Sequence, residues 1–450
     1  MKAYFEALAA AVCRLGAGFP ADRVTLNFAS ETSEFVRFNR GAVRQMTHVE
    51  QHQATVTVVA GQRRADANTS LSGKADADIA LLLGMRNALA EDLPMVPPDP
   101  HLLMPDDVVD TLRDEDGPAT PTLPAIEDIV ALVIDEARGV DLVGFYAAGP
   151  VIAAFADSRG QRNWHRVLSF HFDWSLYCTG DPAVRDRAVK STYAGSRWHS
   201  TELRRRMALA RTRLALLERP ARRLSPGAYR AWLEPAAVAE MLGTLAWGGF
   251  GIKQRRTGTS TLMLLDSGAA SLADTFALSE APESGIAPVF TSTGHVRPGS
   301  VPLVTAGRSV QALVSPRSAA EFGLAANADE GEYPASLALA GGALDDAGVP
   351  AALDTGLWIG NLWYLSYSER RTCRMTGMTR FASFWVERGE IVAPIDVMRF
   401  DDSFLRLFGD GLVALSREAE LLPSNDTYGQ RHLGSITSPG ALVADMRFTL

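Results

Sequence analysis

The chain has 450 residues, of which 47% are hydrophobic, so it can bury a sizeable core and exceeds the length of one ordinary domain. We therefore expect two domains. Its 44 basic and 52 acidic residues give a net charge of -8, which argues against a general affinity for nucleic acid, because phosphate binding needs a dense basic surface.

The cysteines and the N-terminus bear on the cellular compartment. Cys13, Cys178 and Cys373 are odd in number and far apart, so the sequence supports neither a disulfide framework nor a zinc finger, and a reducing cytoplasm fits best. Glu6 interrupts the first apolar run, whose apolar residues recur at helical spacing, so we predict an amphipathic helix rather than a signal peptide. No apolar run approaches the ~20 residues that a membrane span needs.

Local patterns predict mixed strands and helices in the N-terminal half. Alternating apolar residues indicate half-buried strands, apolar residues recurring every three or four positions indicate helices, and Gly and Pro mark turns. Asn39, Arg40 and Gly41 are typical of a hairpin turn. After the first helix, the predicted elements are strands at 24–28, 36–38, 42–49 and 54–59, a helix at 75–90, a mostly irregular proline-rich connection at 94–124, a helix at 125–138, strands at 143–148, 152–156 and 168–176, and a basic helix at 201–217.

The predicted domain boundary follows the basic helix. The helix has an apolar stripe, and Pro220 and the turn at 225–227 end it, so we place the boundary between Leu217 and Tyr229 and expect domains at 1–222 and 223–450. The stripe consists of Leu203, Met207, Ala210, Leu214 and Leu217.

The second half contains one clear helix, at 235–246, followed by short β-like segments separated by Gly and Pro. The predicted fold class is α+β. An N-terminal α/β domain has a mixed or antiparallel sheet with helices, and a β-rich C-terminal domain has a curved or barrel-like sheet with few helices.

Candidate metal ligands are sparse. A metallopeptidase usually holds its metal with two His on a helix and uses a Glu as base, and neither HExxH nor HExxxH occurs here. His171 and Asp173 lie on one face of a predicted strand and could converge, but polar residues on a solvated strand face give the same pattern.

Other candidate sites also have simpler interpretations. The glycine-rich segment 248–253 follows a helix, whereas a phosphate loop precedes one, so it is interpreted as a helix exit. The arginines of the basic helix lie off its apolar stripe, which indicates a solvated face rather than a nucleic-acid contact. Cys373 has no nearby His in the sequence, and no GxSxG elbow is present. The arginines are Arg204, Arg205, Arg206, Arg211 and Arg213.

Short segments along nearly the whole chain resemble the TldD/PmbA family in their order and spacing. The segment at 381–391 is similar to the most recognisable hairpin of that family, and the segment before it to a turn that usually reads TGD. The similar segments are 33–39 (SEFVRFN) with 43–45 (VRQ), 229–239 (YRAWLEPAAVA), 376–378 (TGM), 381–391 (FASFWVERGEI) with Pro394, and 433–436 (LGSI) with Ser438, Pro439 and Leu442.

The resemblance is to one of the two branches of the family. The TldD branch carries HExxxH on the helix after the Leu-Glu-Pro-like strand, and a C-terminal Cys as third ligand. Gly243, Thr244 and Gly248 stand at the three motif positions, and residues 421–450 contain no Cys. The chain therefore resembles the PmbA (TldE) branch, with no catalytic, metal or cofactor-binding residues of its own expected and no substrate-binding residue identified.

The resemblance also implies a function. We expect a non-catalytic subunit of a heterodimeric metallopeptidase that acts on small, unfolded or modified peptides, with zinc in a TldD-type partner and with no nucleic-acid or membrane partner. Two alternatives stay open, a stand-alone hydrolase with an unrecognised site and a regulatory binding protein of the gyrase-modulator kind. Met378, Phe381 and Phe384 depart from the family pattern, and the two phenylalanines are expected to reshape a cleft.

Overall fold

The computed structural model describes residues 1–115 and 123–449, whose strands form two separate sheets. The first sheet belongs to the N-terminal half. Its strands are β1 (Arg23–Asn39), β2 (Ala42–Ala60), β3 (Arg63–Leu71), β4 (Thr111–Asp114), β5 (Asp141–Asp157), β6 (Arg162–Tyr177) and β7 (Ala188–Gly195). Its helices are α1 (Lys2–Val12), α2 (Ala75–Asp92), α3 (Ile126–Glu136) and α4 (Ser200–Leu217).

One face of the first sheet carries apolar side chains and is covered by these helices. The strands run in the order β3-β2-β1-β5-β6-β4, and β7 pairs with the second half of β6. Leu26 and Phe28 of β1 pack with α1 and α2, whereas Val36 and Phe38, farther along the same face of β1, pack with α3 and α4. The period-two alternation in the sequence thus selects the face on which the helices lie.

The opposite face of the first sheet carries polar side chains, and the C-terminal half covers it. Ser169 and His171 of β6 are only 3% and 2% exposed. His165 Nε2 lies 2.9 Å from the carbonyl oxygen of Ile286, and the Asn27 amide donates to the Ser292 carbonyl. The interpretation of this face as solvated is therefore wrong, because alternation shows which residues share a face but not what covers it.

The second sheet belongs to the C-terminal half. Its strands are β8 (Gly227–Leu233), β9 (Leu278–Glu280), β10 (Val301–Thr305), β11 (Arg308–Ser309), β12 (Ser336–Leu339), β13 (Gly356–Ile359), β14 (Trp363–Glu369), β15 (Arg374–Met378), β16 (Ser383–Glu387), β17 (Glu390–Pro394), β18 (Arg399–Ser403), β19 (Leu412–Pro423) and β20 (Ser435–Phe448). Its helices are α5 (Pro235–Ala246), α6 (Ile252–Arg256), α7 (Met263–Asp266), α8 (Pro316–Phe322), α9 (Val349–Leu353) and α10 (Phe404–Leu407).

The long strand β20 organises the second sheet, since it pairs with β8, β12, β18 and β19. The main path runs β11-β10-β9-β12-β20-β8-β13-β16-β17 and does not return to its first strand, so the described sheet is open and not a closed barrel. Val238, Met241 and Leu242 of α5 and Val443 of β20 are fully buried in the core between α5 and this sheet. None of the described helices is long and apolar enough to cross a membrane.

The predicted fold class and most predicted elements are confirmed. Helix α5 has the predicted bounds, and the hairpin of β16 and β17 turns at Arg388 and Gly389, whose φ angles of 53° and 81° are those of a tight hairpin turn. The domain limits 1–222 and 223–450 stay a prediction, although no described strand pairs across them.

Several predictions of detail are wrong. The strands expected at 143–148 and 152–156 form one continuous strand, β5, which runs through Gly149 and Pro150. Strand β3 was not expected, because its sequence RRADANTSL lacks apolar alternation and only pairing with β2 makes it a strand. The TGM segment is not a turn but part of β15, and five helices of four to seven residues follow α5. By contrast, the prediction of a mostly irregular connection at 94–124 is confirmed for its described part, which contains only β4 and one short 3-10 helix; residues 116–122 lie outside the described residues.

Candidate functional site

A cleft lies between the two halves, where strand β7 faces helix α5. Among the described strands β7 pairs with β6 alone, so its other edge lines the cleft rather than a second strand. Three cavities of about 500, 330 and 480 Å³ share lining residues, and Lys190 of β7 lines all three. We call these the charged, the apolar and the hairpin cavity, and together the central cleft.

Helix α5 forms one wall of the central cleft. Its sequence PAAVAEMLGTLA begins with Pro at the first helical position and is otherwise rich in good helix formers. Val238, Met241 and Leu242 face the core, so Ala236, Ala239 and Glu240 face the cleft. The cleft wall is therefore smooth and carries a single charged side chain.

Glu240 is held in place by two contacts. Its Oε2 accepts a hydrogen bond from the Leu362 N–H at 2.7 Å, and its Oε1 lies 3.7 Å from Lys190 Nζ. Burial raises the pKa of the Glu240 carboxyl to about 7, although Lys190 and the Leu362 N–H both favour the charged form. A carboxyl group with such a pKa can bind or release a proton near neutral pH.

The charged cavity lies between α4 and β19, and two of its arginines are paired with glutamates. Arg213 binds Glu234, which also accepts a hydrogen bond from Trp358 Nε1 at 2.8 Å. Arg206 lies 2.6 Å from Glu420 and donates to the Thr192 carbonyl at 2.6 Å. These side chains tie the N-terminal half to the C-terminal half, because α4 and β7 belong to the first and Glu234 and Glu420 to the second.

The solvated-face interpretation of the basic helix is therefore only partly right. It holds for Arg204 and Arg205, whose side chains are 52% and 64% exposed. Arg206 and Arg213 are 21% and 15% exposed in the cleft, and Arg211 donates to the backbone carbonyls of Glu136 and Arg138. Helical periodicity separated these arginines from the apolar stripe, but only the packed structure shows their partners.

The hairpin cavity extends the cleft along β6 towards the β1–β2 hairpin. Asp173 lines it, and this carboxylate accepts hydrogen bonds from the Thr192 hydroxyl at 2.5 Å and from the Asn425 amide at 3.1 Å. His171, two residues earlier, is buried; its Nε2 has no hydrogen-bond partner among the described residues, and burial lowers its pKa to about 4. Neither side chain belongs to a group of three or more His, Cys, Asp or Glu that could hold a metal within the described part of the chain.

Gly243, Thr244 and Gly248, which stand at the three positions of the HExxxH motif, lie around the C-terminal end of α5. A Cβ on Gly243 would stand 3.6 Å from Ile436 Cδ1, at the border of the apolar cavity. The Thr244 hydroxyl donates to the Glu240 carbonyl, and Gly248 lies beyond the helix with a φ angle of 95°. Glycine offers no side-chain ligand and Thr244 only a hydroxyl, so these residues do not fit a zinc site.

The remaining candidates also have structural roles. The glycine-rich segment is a helix exit, as expected, although its last two residues begin the five-residue helix α6 and the Lys253 N–H donates to buried Glu332. Burial raises the pKa of the Cys373 thiol to about 12, which makes it a poor nucleophile at neutral pH. Phe384 lies in the core rather than in the cleft, whereas the Phe381 ring lies 5.6 Å from Lys190 Nζ.

The most informative cleft residues, Lys190, Glu240 and Asn361, were not identified from the sequence. Glu240 had a signal, since it is the lone charged residue in an otherwise apolar helix. Lys190 and Asn361 had none, because one lies in an ordinary alternating strand and the other in a three-residue connection between β13 and β14. Their proximity depends on how the two halves pack.

The sequence and the fold were compared with those of known proteins. Residues 226–450 match the model of the PmbA/TldA metallopeptidase C-terminal domain. No curated protein sequence matches the chain.

The fold is similar to those of solved structures over nearly the whole chain. TldE from Thermococcus kodakarensis superimposes with a TM-score of 0.78 at 11% identity, covering 96% of this chain and 97% of that one. A protein described as a modulator of DNA gyrase from Thermotoga maritima gives 0.72 at 12% identity, covering 95% and 96%. A protein with the same description from Bacteroides thetaiotaomicron gives 0.75 at 12% identity, covering 100% and 98%.

Proposed function

Because the chain belongs to the PmbA/TldD family, we propose that it is a non-catalytic, TldE-like subunit of a two-subunit zinc peptidase. A TldD-type partner holds the metal in this proposal, and this chain holds no cofactor. The complex acts in the cytoplasm on small, unfolded or modified peptides, and this chain contributes part of the cleft in which the peptide binds.

The make-up of the α5 wall is the observation that carries the proposal. Gly243, Thr244 and Gly248 occupy the motif positions, and no cysteine occurs in residues 421–450. Hydrolysis of an amide at neutral pH needs an activated water and stabilisation of the oxyanion, which a zinc ion with a glutamate base supplies. The central cleft nevertheless has the volume and the mixed polar and apolar lining of a ligand-binding site.

A subunit of this kind contributes by binding and orientation. A peptide held in an extended conformation across the cleft loses its translational and conformational freedom before the chemical step, which lowers the entropic part of the barrier. The ion pairs Arg206–Glu420 and Arg213–Glu234 join α4 to β19 and to the start of α5, so the cleft is already formed before a peptide enters.

Exposed aromatic side chains support docking by another protein. Trp247, directly after α5, is 69% exposed, and Tyr364 of β14 is 77% exposed. Aromatic residues are enriched in protein interfaces, where they supply large contact areas. Strand β14 pairs only with β15 among the described strands, so its other edge is also free.

The test is peptide cleavage by this chain, by a TldD-type protein encoded near it, and by their mixture, each with and without a chelator. We expect no cleavage by this chain alone, chelator-sensitive cleavage by the mixture, and weak or no cleavage by the partner alone. Elemental analysis should find no stoichiometric zinc in this chain. The variant with Gly243→His, Thr244→Glu and Gly248→His should stay inactive, because a third ligand and its supporting hydrogen bonds are also missing.

Two results would contradict the proposal. One is chelator-resistant cleavage by this chain alone, which would point to a stand-alone hydrolase. The other is a partner that is fully active without this chain, which would leave the chain without a role in cleavage.

A further inference from the structure

Asn361 is a buried polar residue in the central cleft without a partner. It lies in the connection between β13 and β14, is only 7% exposed, and lines both the charged and the apolar cavity. Its side-chain amide makes no hydrogen bond with any residue that the structure describes. The amide is not among the fully buried polar groups that lack a partner, so it is open to the two cavities and free to bind a ligand there.

The charged side chains that line the apolar cavity with Asn361 are partnered. Lys190 lies 3.7 Å from Glu240, and Glu240 also binds the Leu362 N–H directly after Asn361. Asp173 accepts hydrogen bonds from Thr192 and Asn425. Asn361 therefore differs from these charged neighbours, whose partners lie within the cleft itself.

We propose that Asn361 binds the main chain of an extended peptide at the junction of the charged and apolar cavities. The inference rests on the proposed function and specifies how this subunit holds the substrate. An asparagine side chain offers an acceptor and donors side by side, so it can pair with the N–H and the C=O of a peptide main chain. Ala236 lines both cavities beside it, and its small side chain lets a main chain approach closely.

The two cavities specify the class of peptide. Successive residues of an extended chain are ~3.3 Å apart and point to opposite sides, so side chains flanking the bound peptide group reach different cavities. Leu337, Leu422 and Ile436 line the apolar cavity, which suits an aliphatic side chain. The substrate class is therefore an extended peptide with an aliphatic residue next to the peptide group that Asn361 binds.

The test measures binding of a blocked, fluorescein-labelled heptapeptide of alanine and serine with a central leucine, by fluorescence anisotropy. Asn361→Leu should weaken binding about tenfold, which is the loss of roughly 1.4 kcal/mol. Analogues in which one main-chain amide at a time is replaced by an ester identify the bound group. One ester next to the leucine should weaken wild-type binding by a similar factor and have no effect on Asn361→Leu.

Two controls separate binding from folding. The melting temperature of Asn361→Leu should be unchanged or higher, because the wild-type amide has no partner in the fold to lose. Asn87→Leu, exposed on α2 and outside the cleft, should bind the probe as the wild type does.

The inference is overturned if the wild type does not bind the probe, if Asn361→Leu binds it equally well, or if the ester effects persist undiminished in Asn361→Leu. Cleavage by the mixed subunits is measured in parallel with the same peptide. If the mixture still depends on this chain for cleavage, only the role of Asn361 is wrong. If the mixture gains nothing from this chain, the proposed function itself fails.

Discussion

At the scale of single residues, Glu240 shows how position rather than residue type sets chemical behaviour. Glutamate on an exposed helix face is charged at neutral pH. Glu240 instead lies beside Ala236 and Ala239 on the cleft wall, where burial raises the pKa of its carboxyl to about 7. Lys190 at 3.7 Å only partly offsets this effect.

Replacing Glu240 with Gln should change how stability depends on pH. Because the pKa of Glu240 is higher in the folded than in the unfolded state, its stabilising contribution is complete below about pH 4.5 and is lost as the pH rises to about 7. The free energy of unfolding of Glu240→Gln, relative to wild type, should therefore increase by up to about 3 kcal/mol between pH 5 and 7.

Urea unfolding at pH 5, 6, 7 and 8 measures this difference. Glu91→Gln, exposed on α2, is the matched control and should follow the wild type at every pH. A Glu240→Gln curve parallel to that of the wild type would show that the Glu240 carboxyl has an ordinary pKa.

At the scale of elements, the segment 424–434 between β19 and β20 fastens the C-terminal half onto the polar face of the first sheet. Arg431 is the anchor, since its guanidinium donates to the carbonyls of Gly149 and Ser169 at 2.9 and 2.8 Å. The Arg431 N–H also donates to Glu31, which is 1% exposed. Burial lowers the pKa of Arg431 to about 10, so it stays charged at neutral pH.

Arg431→Met should destabilise the protein by about 3–5 kcal/mol, because it leaves the Gly149 and Ser169 carbonyls without their donor and removes the positive charge that attracts the buried Glu31 carboxylate. Loss of the anchor should also increase hydrogen exchange in 424–434. Urea unfolding and exchange mass spectrometry measure the two effects. Arg417→Met is the control, since Arg417 pairs with Asp345 at the surface, where both side chains are more than 60% exposed, and should cost less than about 1 kcal/mol. An Arg431→Met variant as stable as this control would exclude the anchoring role.

At the scale of the whole molecule, the surface between the two halves contains two buried histidines and one half-buried histidine. His165 and His171 lie on the polar face of β6, and His295 comes from the segment of the C-terminal half that covers the first sheet. Burial lowers the pKa of each of these imidazoles to about 4.

These histidines should make the protein sensitive to mild acid. The pKa of each histidine is lower in the folded than in the unfolded state, so above about pH 6.5 the histidines do not reduce the free energy of unfolding. As the pH falls from there towards 4, the free energy of unfolding decreases by up to about 1.4 kcal/mol per pH unit for each histidine. The double variant His165→Gln, His171→Gln should lose less stability than the wild type between pH 7.5 and 5.5. Urea unfolding measures it, and His48→Gln, 54% exposed, is the control. Equal losses in all three proteins would be evidence against this source of acid sensitivity.

The sequence by itself determined the elements whose stability is local and the family to which the chain belongs. The stripe from Leu203 to Leu217 and the bounds of α5 follow from the helical period, and the hairpin at Arg388 and Gly389 from turn chemistry. The same period predicts which residues share a face and is silent on what lies against that face.

Only the tertiary structure decided that the polar face of β6 is internal, that Arg206 and Arg213 cross between the halves, and that Lys190, Glu240 and Asn361 meet in one cleft. Asn361 is 121 residues from Glu240 and 171 from Lys190 in the chain. Such contacts depend on how two separate sheets pack against each other. The burial and the pKa values of these side chains follow from that packing, so no local pattern in the sequence encodes them.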